Sequence, residues 1–535
     1  MPKFTLNDQE IDAQPGQTII QAAMDRGIEI PHYCYHQDLP IDGNCRMCLV
    51  EVEKMPKLTP ACTTVVSEGM IARSNNDRVK MAVRGVLEFL LINHPVDCPV
   101  CDQAGECRLQ DYYMVYGLHT SEIPQAMKVH KGKAMDLGPV MLDQERCVMC
   151  SRCIRFFENV THTGELQFFG RGDHVHIGTI NDEKLTNPYS GNVAEICPVG
   201  ALTSHDFRFK ARVWFLHSTD SVCGGCSTGC NVRIDHRDGT VFRLQARRNV
   251  EVNRSWLCDE GRMSIHEVAR GERILLPRMK GRDGIQAPVT WEEAARSIDA
   301  KLKETAGANG ASSLLGVASA SATNEALFLF KRYLEHLGAN QFEFRLDSED
   351  QRVTEKEDEI LRHKDKHPNS MGAMKLELMS RELGGIDSAI KGARDGKIKA
   401  AVITYLKPLV PRATDAEAEA KLAELINALD YSVVLAAHKA DWQVAANVLL
   451  PVAAWSEEDG TYTNYQGRVQ LAFKAVEPGD DILPVWEVFA MLLHASGADS
   501  PWMSTDEVFA TLVESVPAYH GITVEQTRLP GVVAT

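Results

Sequence analysis

The spacing of apolar and polar residues changes character along this chain. Residues 3–6 and 10–13 alternate as short strands around an Asn7-Asp8 turn, and 18–26 carry helical spacing closed by Gly27. Residues 48–53, Cys-Leu-Val-Glu-Val-Glu, alternate as a strand, and 61–66 read as another. Over 78–93, Val79, Met81, Val83, Val86, Phe89 and Leu90 fall mostly on one helix face, which ends before His94 and Pro95. A hairpin is expected over 168–180, and strands over 212–215 and 232–244, the latter turning at Asp238-Gly239. From about residue 270 the texture becomes α/β, with strands at 313–317, 399–405, 432–436 and 447–450 and helices over 324–337, 416–429 and 484–495. Residues 346–398 are charge-rich and irregular, with 365–368 expected as a linker. The longest apolar runs, 86–92 and 445–455, are broken by charge or proline and fall short of the roughly 18 residues of a membrane span.

A chain of 535 residues exceeds one hydrophobic core and predicts several domains. The net charge of −16 argues against nucleic acid or an anionic membrane surface as partner. The first residues, Met1-Pro2-Lys3-Phe4, lack the basic-then-apolar pattern of a signal peptide, so a cytosolic protein, or one held to a membrane through other subunits, is expected.

The cysteines sharpen this. All fifteen precede residue 259, and in a reducing compartment clustered cysteines serve metal binding more often than disulfides. They fall into four sets. Cys34, Cys45, Cys48 and Cys62 are spaced C-x10-C-x2-C-x13-C; Cys98, Cys101 and Cys107, with His94 before them, are spaced H-x3-C-x2-C-x5-C. Cys147, Cys150 and Cys153 form C-x2-C-x2-C and are completed 43 residues later by Cys197-Pro198; Cys223, Cys226 and Cys230 are completed by Cys258. Fifteen thiols and one imidazole give four ligands per site with none left over. A C-x2-C-x2-C run wraps one face of a four-iron cubane, whereas a zinc ion needs only paired C-x2-C arms. Taken alone, His94 reads better as a histidine favoured by a helix C-terminus; the one-cysteine shortfall of its set makes it a ligand. A zinc site competes with each set singly, but four of them in one stretch is the poorer account.

The order helix, cysteine loop, strand in residues 1–75 resembles the β-grasp fold of two-iron ferredoxins, with a longer first loop than the plant-type run. Gly43-Asn44-Cys45-Arg46-Met47-Cys48-Leu49-Val50-Glu51-Val52, Asp97-Cys98-Pro99-Val100-Cys101-Asp102-Gln103-Ala104-Gly105-Glu106-Cys107, Arg146-Cys147-Val148-Met149-Cys150-Ser151-Arg152-Cys153 and Ile196-Cys197-Pro198-Val199-Gly200-Ala201 together resemble a family, the large iron–sulfur subunits of bacterial NADH–quinone oxidoreductase (respiratory complex I). More loosely, Ser255-Trp256-Leu257-Cys258-Asp259-Glu260-Gly261-Arg262 and Gly460-Thr461-Tyr462-Thr463-Asn464-Tyr465-Gln466-Gly467-Arg468-Val469-Gln470 are similar to molybdopterin oxidoreductases.

The resemblance implies α+β cluster-binding domains followed by an α/β domain. The expected modules are a β-grasp 2Fe–2S domain (1–76), a 4Fe–4S module with one histidine and three cysteine ligands (77–125), a 4Fe–4S ferredoxin-like module (126–212), a third 4Fe–4S module (213–270) and a reduced molybdopterin-oxidoreductase-like domain without that cofactor (271–535). It further implies a flavin-bearing, NADH-binding partner upstream and iron–sulfur subunits downstream, in the peripheral arm of a complex on the inner face of the plasma membrane, with electrons passing from the first set to the third and then the second. A formate-dehydrogenase-like molybdenum or tungsten subunit, a hydrogenase relay and a multi-zinc scaffold are the competing readings.

Overall fold

The computed structural model describes residues 1–117, 129, 131–132, 135–269, 272–346, 353–380 and 384–534. The expected module boundaries at 125/126 and 270/271, and parts of the 346–398 stretch, lie outside the described residues. The chain folds as two compact units, Met1–Leu216 and His217–Thr535.

In the first unit, β1 (Lys3–Leu6), β2 (Gln9–Asp12), β3 (Leu49–Val52), β4 (Thr59–Pro60) and β5 (Met70–Arg73) form a sheet of order β2-β1-β5-β3-β4. Its central pair, β1 and β5, is parallel; β1 with β2 and β3 with both neighbours are antiparallel. Helix α1 (Ile19–Asp25), opened by a Thr18–Gln21 capping box, packs Ile19, Ile20 and Ala23 on Phe4, Leu6 and Val50. This is the β-grasp arrangement with the cysteine loop between helix and β3. The expected strand over 61–66 is instead a turn: Thr63 and Thr64 amides donate back to the Pro60 carbonyl, placing Cys62 at the site, and the ladder resumes in β5. β-branched residues there imitated a strand.

Helix α2 (Asp77–Leu91) is capped by Asn76, whose side chain accepts from Val79 N–H, and it buries Val79, Val83 and Leu87 at spacing four. Met81 and Phe89, expected on that face, are exposed because they sit two residues off the stripe. Helix α3 (Arg108–Tyr116) packs against α2. The third module is built from β6 (Met135–Asp136), β7 (Val140–Leu142), α4 (Arg152–Asn159), α5 (Asn192–Ile196) and β10 (Leu202–Ser204), with the expected hairpin at β8 (Gln167–Phe169) and β9 (His176–Gly178). The strand expected at 212–215 is a single 3₁₀ turn, Val213–Phe215, that leaves Trp214 and Phe215 exposed.

The second unit opens with a meander, β11 (His217–Val222), β12 (Asn231–Arg237) and β13 (Thr240–Ala246), and then α6 (Asp259–Met263) and α7 (Ile265–Ala269). Its main sheet has seven strands: β14 (Arg278–Lys280), β15 (Gln286–Pro288), β16 (Leu314–Val317), β17 (Gln341–Glu343), β18 (Ala400–Tyr405), β19 (Tyr431–Ala436) and β20 (Val448–Pro451), in the order β15-β14-β20-β19-β18-β16-β17. Strands β16 to β20 are parallel, and mostly apolar runs such as Ala400–Tyr405 are buried along their whole length, as burial on both faces requires. One face is covered by α8 (Trp291–Asn309), α9 (Asn324–His336), α10 (Ser370–Lys375), α13 (Val485–Ala495) and α14 (Thr505–Ser515), the other by α11 (Ile386–Arg394) and α12 (Asp415–Ala428). The stretch expected to be irregular therefore holds α10 and α11. The supposed linker 365–368 is packed inside: Asp365, His367 and Pro368 are buried and Ser321 pairs with His367 Nδ1 at 2.8 Å. A small ladder, β21 (Gly460–Thr463), β22 (Arg468–Ala472) and β23 (Val532–Val533), carries the Gly460–Gln470 motif.

That motif anchors a buried polar knot. Glu325, near the start of α9, accepts from the Thr461 amide and hydroxyl, each at 2.8 Å, and Asn324 donates to Thr461 Oγ1 at 2.9 Å. Glu458 accepts from the Val485 amide at 3.3 Å, beside Glu457, which is paired with Arg273. Burial pushes the Glu325 carboxyl up to about 7 and Glu458 up to about 8.

Candidate metal centres

All fifteen cysteines are free thiols, buried or half-buried. Among the described residues no three His, Cys, Asp or Glu side chains converge tightly enough to ligate a single ion.

The structure gathers the first set. Cys34 accepts hydrogen bonds from Cys45 and Cys62, and Cys48 accepts from Cys62, which holds Cys34 and Cys48 below the ordinary thiol range and Cys45 and Cys62 above it. The Tyr33 amide faces Cys45 Sγ at 3.5 Å. Arg46, between Cys45 and Cys48, takes the left-handed conformation (φ 56°), which turns the chain around the site.

The second set follows α2. His94 is half-buried past the helix end, and Cys98 opens a 3₁₀ turn that leads to Cys101. Cys107 precedes α3, and burial pushes its thiol up to about 11. Gly105 (φ 91°) lies against the Trp214 ring, where any Cβ would stand 2.8 Å from ring carbon Cε3. Arg212 donates to the Cys101 carbonyl at 2.6 Å.

In the third set, Met149 and Ser151 (φ 54° and 61°) are both left-handed, so the chain coils between its cysteines, and the Met149 amide points at Cys147 Sγ at 3.4 Å. Helix α4 brings Cys153 and α5 delivers Cys197. Burial pushes Cys147 and Cys197 up to about 12 and Cys153 further.

These three sets share one apolar core that includes Cys34, Cys107, Cys150, Val79, Tyr112 and Val199. Between the first and third, Asn44 donates to the Met149 carbonyl at 3.3 Å, Arg152 to the Tyr35 carbonyl at 2.5 Å, and Arg155 to the carbonyls of both Cys34 and Cys150. Between the second and third, Arg146 and Asp97, each directly before a cysteine, form a half-buried two-pronged ion pair at 3.1 and 2.6 Å. The Arg108 amide, next to Cys107, donates to the Pro198 carbonyl, next to Cys197, at 2.9 Å. Gly200 lies flush against Cys101 Sγ, where any Cβ would overlap the sulfur. Tyr33 and Tyr112 rings join the first and second at 5.5 Å. Spacing names the candidate ligands; these connections are missing from it, and the only hint was basic residues placed within and beside the cysteine runs.

The fourth set lies in the second unit, in the loop joining β11 to β12, and is closed by the Cys223 amide on the Cys230 carbonyl at 2.8 Å. Cys258 caps α6, with the Gly261 amide on its sulfur at 3.3 Å, and the Gly225 amide meets Cys223 Sγ at 3.4 Å. Cys223, Cys226, Cys230 and Cys258 line one small pocket. Burial pushes Cys223 up to about 12 and Cys230 and Cys258 further. Distant segments wall it in: Ser227 donates to Val353 and Thr228 to Leu361, while Asn464 and Gln470 donate to the carbonyls of Thr228 and Gly229 at 3.1 and 2.9 Å. Lys366 and Arg362 line the cavity and pair with Glu260 and Glu357.

The donors suit an iron–sulfur cluster: soft thiols, most of those in the third and fourth sets raised by burial, that bind as thiolates once a metal displaces their protons, with amides directed at sulfur.

The family described as 2Fe-2S iron-sulfur cluster binding domain matches residues 2–77, and the NADH-ubiquinone oxidoreductase-G iron-sulfur binding region matches 84–122. The ferredoxin-like domain of NADH-quinone oxidoreductase subunit 3 matches 138–203, the molybdopterin oxidoreductase Fe4S4 domain 216–270, and molybdopterin oxidoreductase 273–389 and 361–495. The chain is 40% identical over 354 residues to the G subunit of NADH-quinone oxidoreductase from Rickettsia conorii (65% of this chain, 52% of that protein). It is 40% identical over 358 residues to the NADH-ubiquinone oxidoreductase 75 kDa subunit of Reclinomonas americana (66% of this chain, 51% of that protein). It thus spans about half the length of the curated relatives it matches. Among solved structures, a chain of an NAD+-reducing [NiFe]-hydrogenase aligns with TM-score 0.36 and 27% identity (40% of this chain, 91% of that one), and acetylene hydratase from Pelobacter acetylenicus with TM-score 0.37 and 12% identity (58% and 73%). The chain carries 2Fe–2S and 4Fe–4S binding domains followed by a molybdopterin-oxidoreductase domain, and over the residues that align it is similar to NADH-quinone oxidoreductase G subunits.

Proposed function

We propose that this chain is an electron relay of NADH–quinone oxidoreductase, holding one 2Fe–2S cluster on Cys34, Cys45, Cys48 and Cys62 and three 4Fe–4S clusters on the other sets. The observation that carries the reading is that sixteen side chains form four sets of four, three of them joined in a single core. Bound there, such clusters supply one-electron chemistry with little ligand movement. The chain does the rest. It buries the thiols, directs amides at sulfur, and links ligand-bearing segments by Arg155, by the Arg146–Asp97 pair and by the Arg108–Pro198 hydrogen bond.

The order first set, third set, second set belongs to the same proposal; hydrogen bonds at or beside the cysteines tie the third set to each of the others, while the first and second meet through the Tyr33 and Tyr112 rings. The entering electrons would come from a flavin-bearing, NADH-binding subunit and leave to a downstream iron–sulfur subunit, on the way to quinone. The five-module division and a C-terminal domain without molybdopterin belong to the same reading. No described helix is long and apolar enough to cross a membrane, which suits a place in the peripheral arm, held by partners to the inner face of the plasma membrane. Metal and acid-labile sulfide analysis with low-temperature EPR tests this: about fourteen irons per chain and four reduced-cluster signals are expected. A colourless protein with about four zincs, or one holding molybdenum or tungsten, overturns it.

A further inference from the structure

A guanidinium withdrawn from water is normally held by an anion, and leaving it without one costs several kcal/mol. Several well-covered arginines among the described residues follow that rule. Arg146 lies against Asp97, Arg243 against Asp235, Arg273 against Glu457 and Arg412 against Asp415. Arg152 departs from it. It is 9% exposed, and among the described residues its amino groups donate only to the main-chain carbonyls of Ile196 (3.1 Å) and Tyr35 (2.5 Å), while Nε meets no acceptor. The charges that act on it most are the sulfurs of Cys150 and Cys197, then the Tyr112 hydroxyl and the like charge of Arg155. None of these is a carboxylate. Arg155, also buried, reaches one only through Ser151, whose hydroxyl it contacts at 2.9 Å and which in turn donates to Asp42.

A fixed cation in such a place is explained if the negative charge beside it arrives with the third set's metal. We propose that Arg152 is the counter-charge of the third cysteine set and, with Arg155, raises the midpoint potential there. This rests on the relay reading. Taking up one electron adds one negative charge within the Cys147, Cys150, Cys153 and Cys197 cage and requires no proton, because the guanidinium remains charged throughout. A positive charge beside two of the four sulfurs stabilises that reduced state over the oxidised one. Arg155, shared between the Cys34 and Cys150 carbonyls, acts at both ends of the first-to-third step.

The test is a redox titration read by low-temperature EPR on the full chain as isolated with its clusters, comparing wild type with Arg152→Gln and Arg152→Lys. The expected result is a lower midpoint for the third-set signal in Arg152→Gln, an unmoved fourth-set signal, and recovery of most of the shift in Arg152→Lys. A third-set signal at the wild-type midpoint in Arg152→Gln overturns the proposal. If Arg152→Gln loses that signal altogether, the lysine variant decides: a restored signal supports a charge role, and an equally empty site overturns it in favour of shape alone. Absence of any iron–sulfur signal in wild type would instead sink the relay reading, so the two failures are distinct.

Discussion

Glu458 offers a change whose size follows from the structure. Its carboxyl is buried, accepts one hydrogen bond from the Val485 amide, and faces Glu325, Glu457 and Asp459. An acid that ordinarily ionises near 4.5 is thereby held to about 8 in the folded chain. At about 1.4 kcal/mol per pH unit, ionising it in place costs at most about 5 kcal/mol. The sign is fixed by linkage. Below pH 4.5 folded and unfolded chains both hold the proton, and the fold keeps its full stability. Between 4.5 and about 8 the unfolded chain releases it first, so stability falls as pH rises and levels off above about 8. Glu458→Gln keeps an acceptor for the Val485 amide and cannot ionise. The stability advantage of the variant over wild type should therefore grow from near zero at pH 5 by several kcal/mol at pH 8. Urea unfolding of the two proteins followed by circular dichroism at pH 5, 6, 7 and 8 measures it. A constant difference across that range would falsify the assignment of a neutral buried acid at this position.

Four further outcomes are expected. His94→Cys replaces neutral imidazole with thiolate and should lower the potential of the second-set cluster; an unchanged or higher midpoint in a redox titration counts against His94 as ligand. Gly200→Ala drives a methyl group into Cys101 Sγ, an overpacking of about 1–3 kcal/mol, and should deplete about four irons with selective loss of the second-set signal, which full iron content would contradict. Cys226→Ala should hurt assembly or stability more than turnover per assembled complex; normal assembly with abolished turnover refutes that. Glu325→Gln should show the same pH trend as Glu458→Gln but reach its plateau about one pH unit earlier, near 7, as urea midpoints across pH will show.

The cluster-binding domains were legible because cysteines that serve one cluster recur at short intervals, and their spacing records that directly. The parallel strands were legible too: runs such as Ala400–Tyr405 are mostly apolar because the sheet is covered on both faces. Charge was the weak guide. Residues 365–368 look solvated in sequence, yet Lys366 is paired with Glu357 and with Glu260, 106 residues away along the chain, and those partners permit burial. The opposite error occurred at 61–66, where Cys62 takes the chain out of the ladder that its β-branched neighbours suggest. Arg152 could not be read at all, since a basic residue in a cysteine run says nothing about whether a carboxylate will meet it.

The clasp around the Cys223–Cys230 loop bears on how the protein is made. Gln470, which holds Gly229, follows it by 241 residues. At a ribosomal rate of about 5–20 residues per second, that part of the wall reaches the nascent chain roughly 10–50 seconds after the loop has been synthesised. The links joining the other three sets are all encoded before residue 217 and can close early. For that interval the fourth set's thiols lack a finished enclosure, which makes it the one most open to oxidation or stray metal during synthesis.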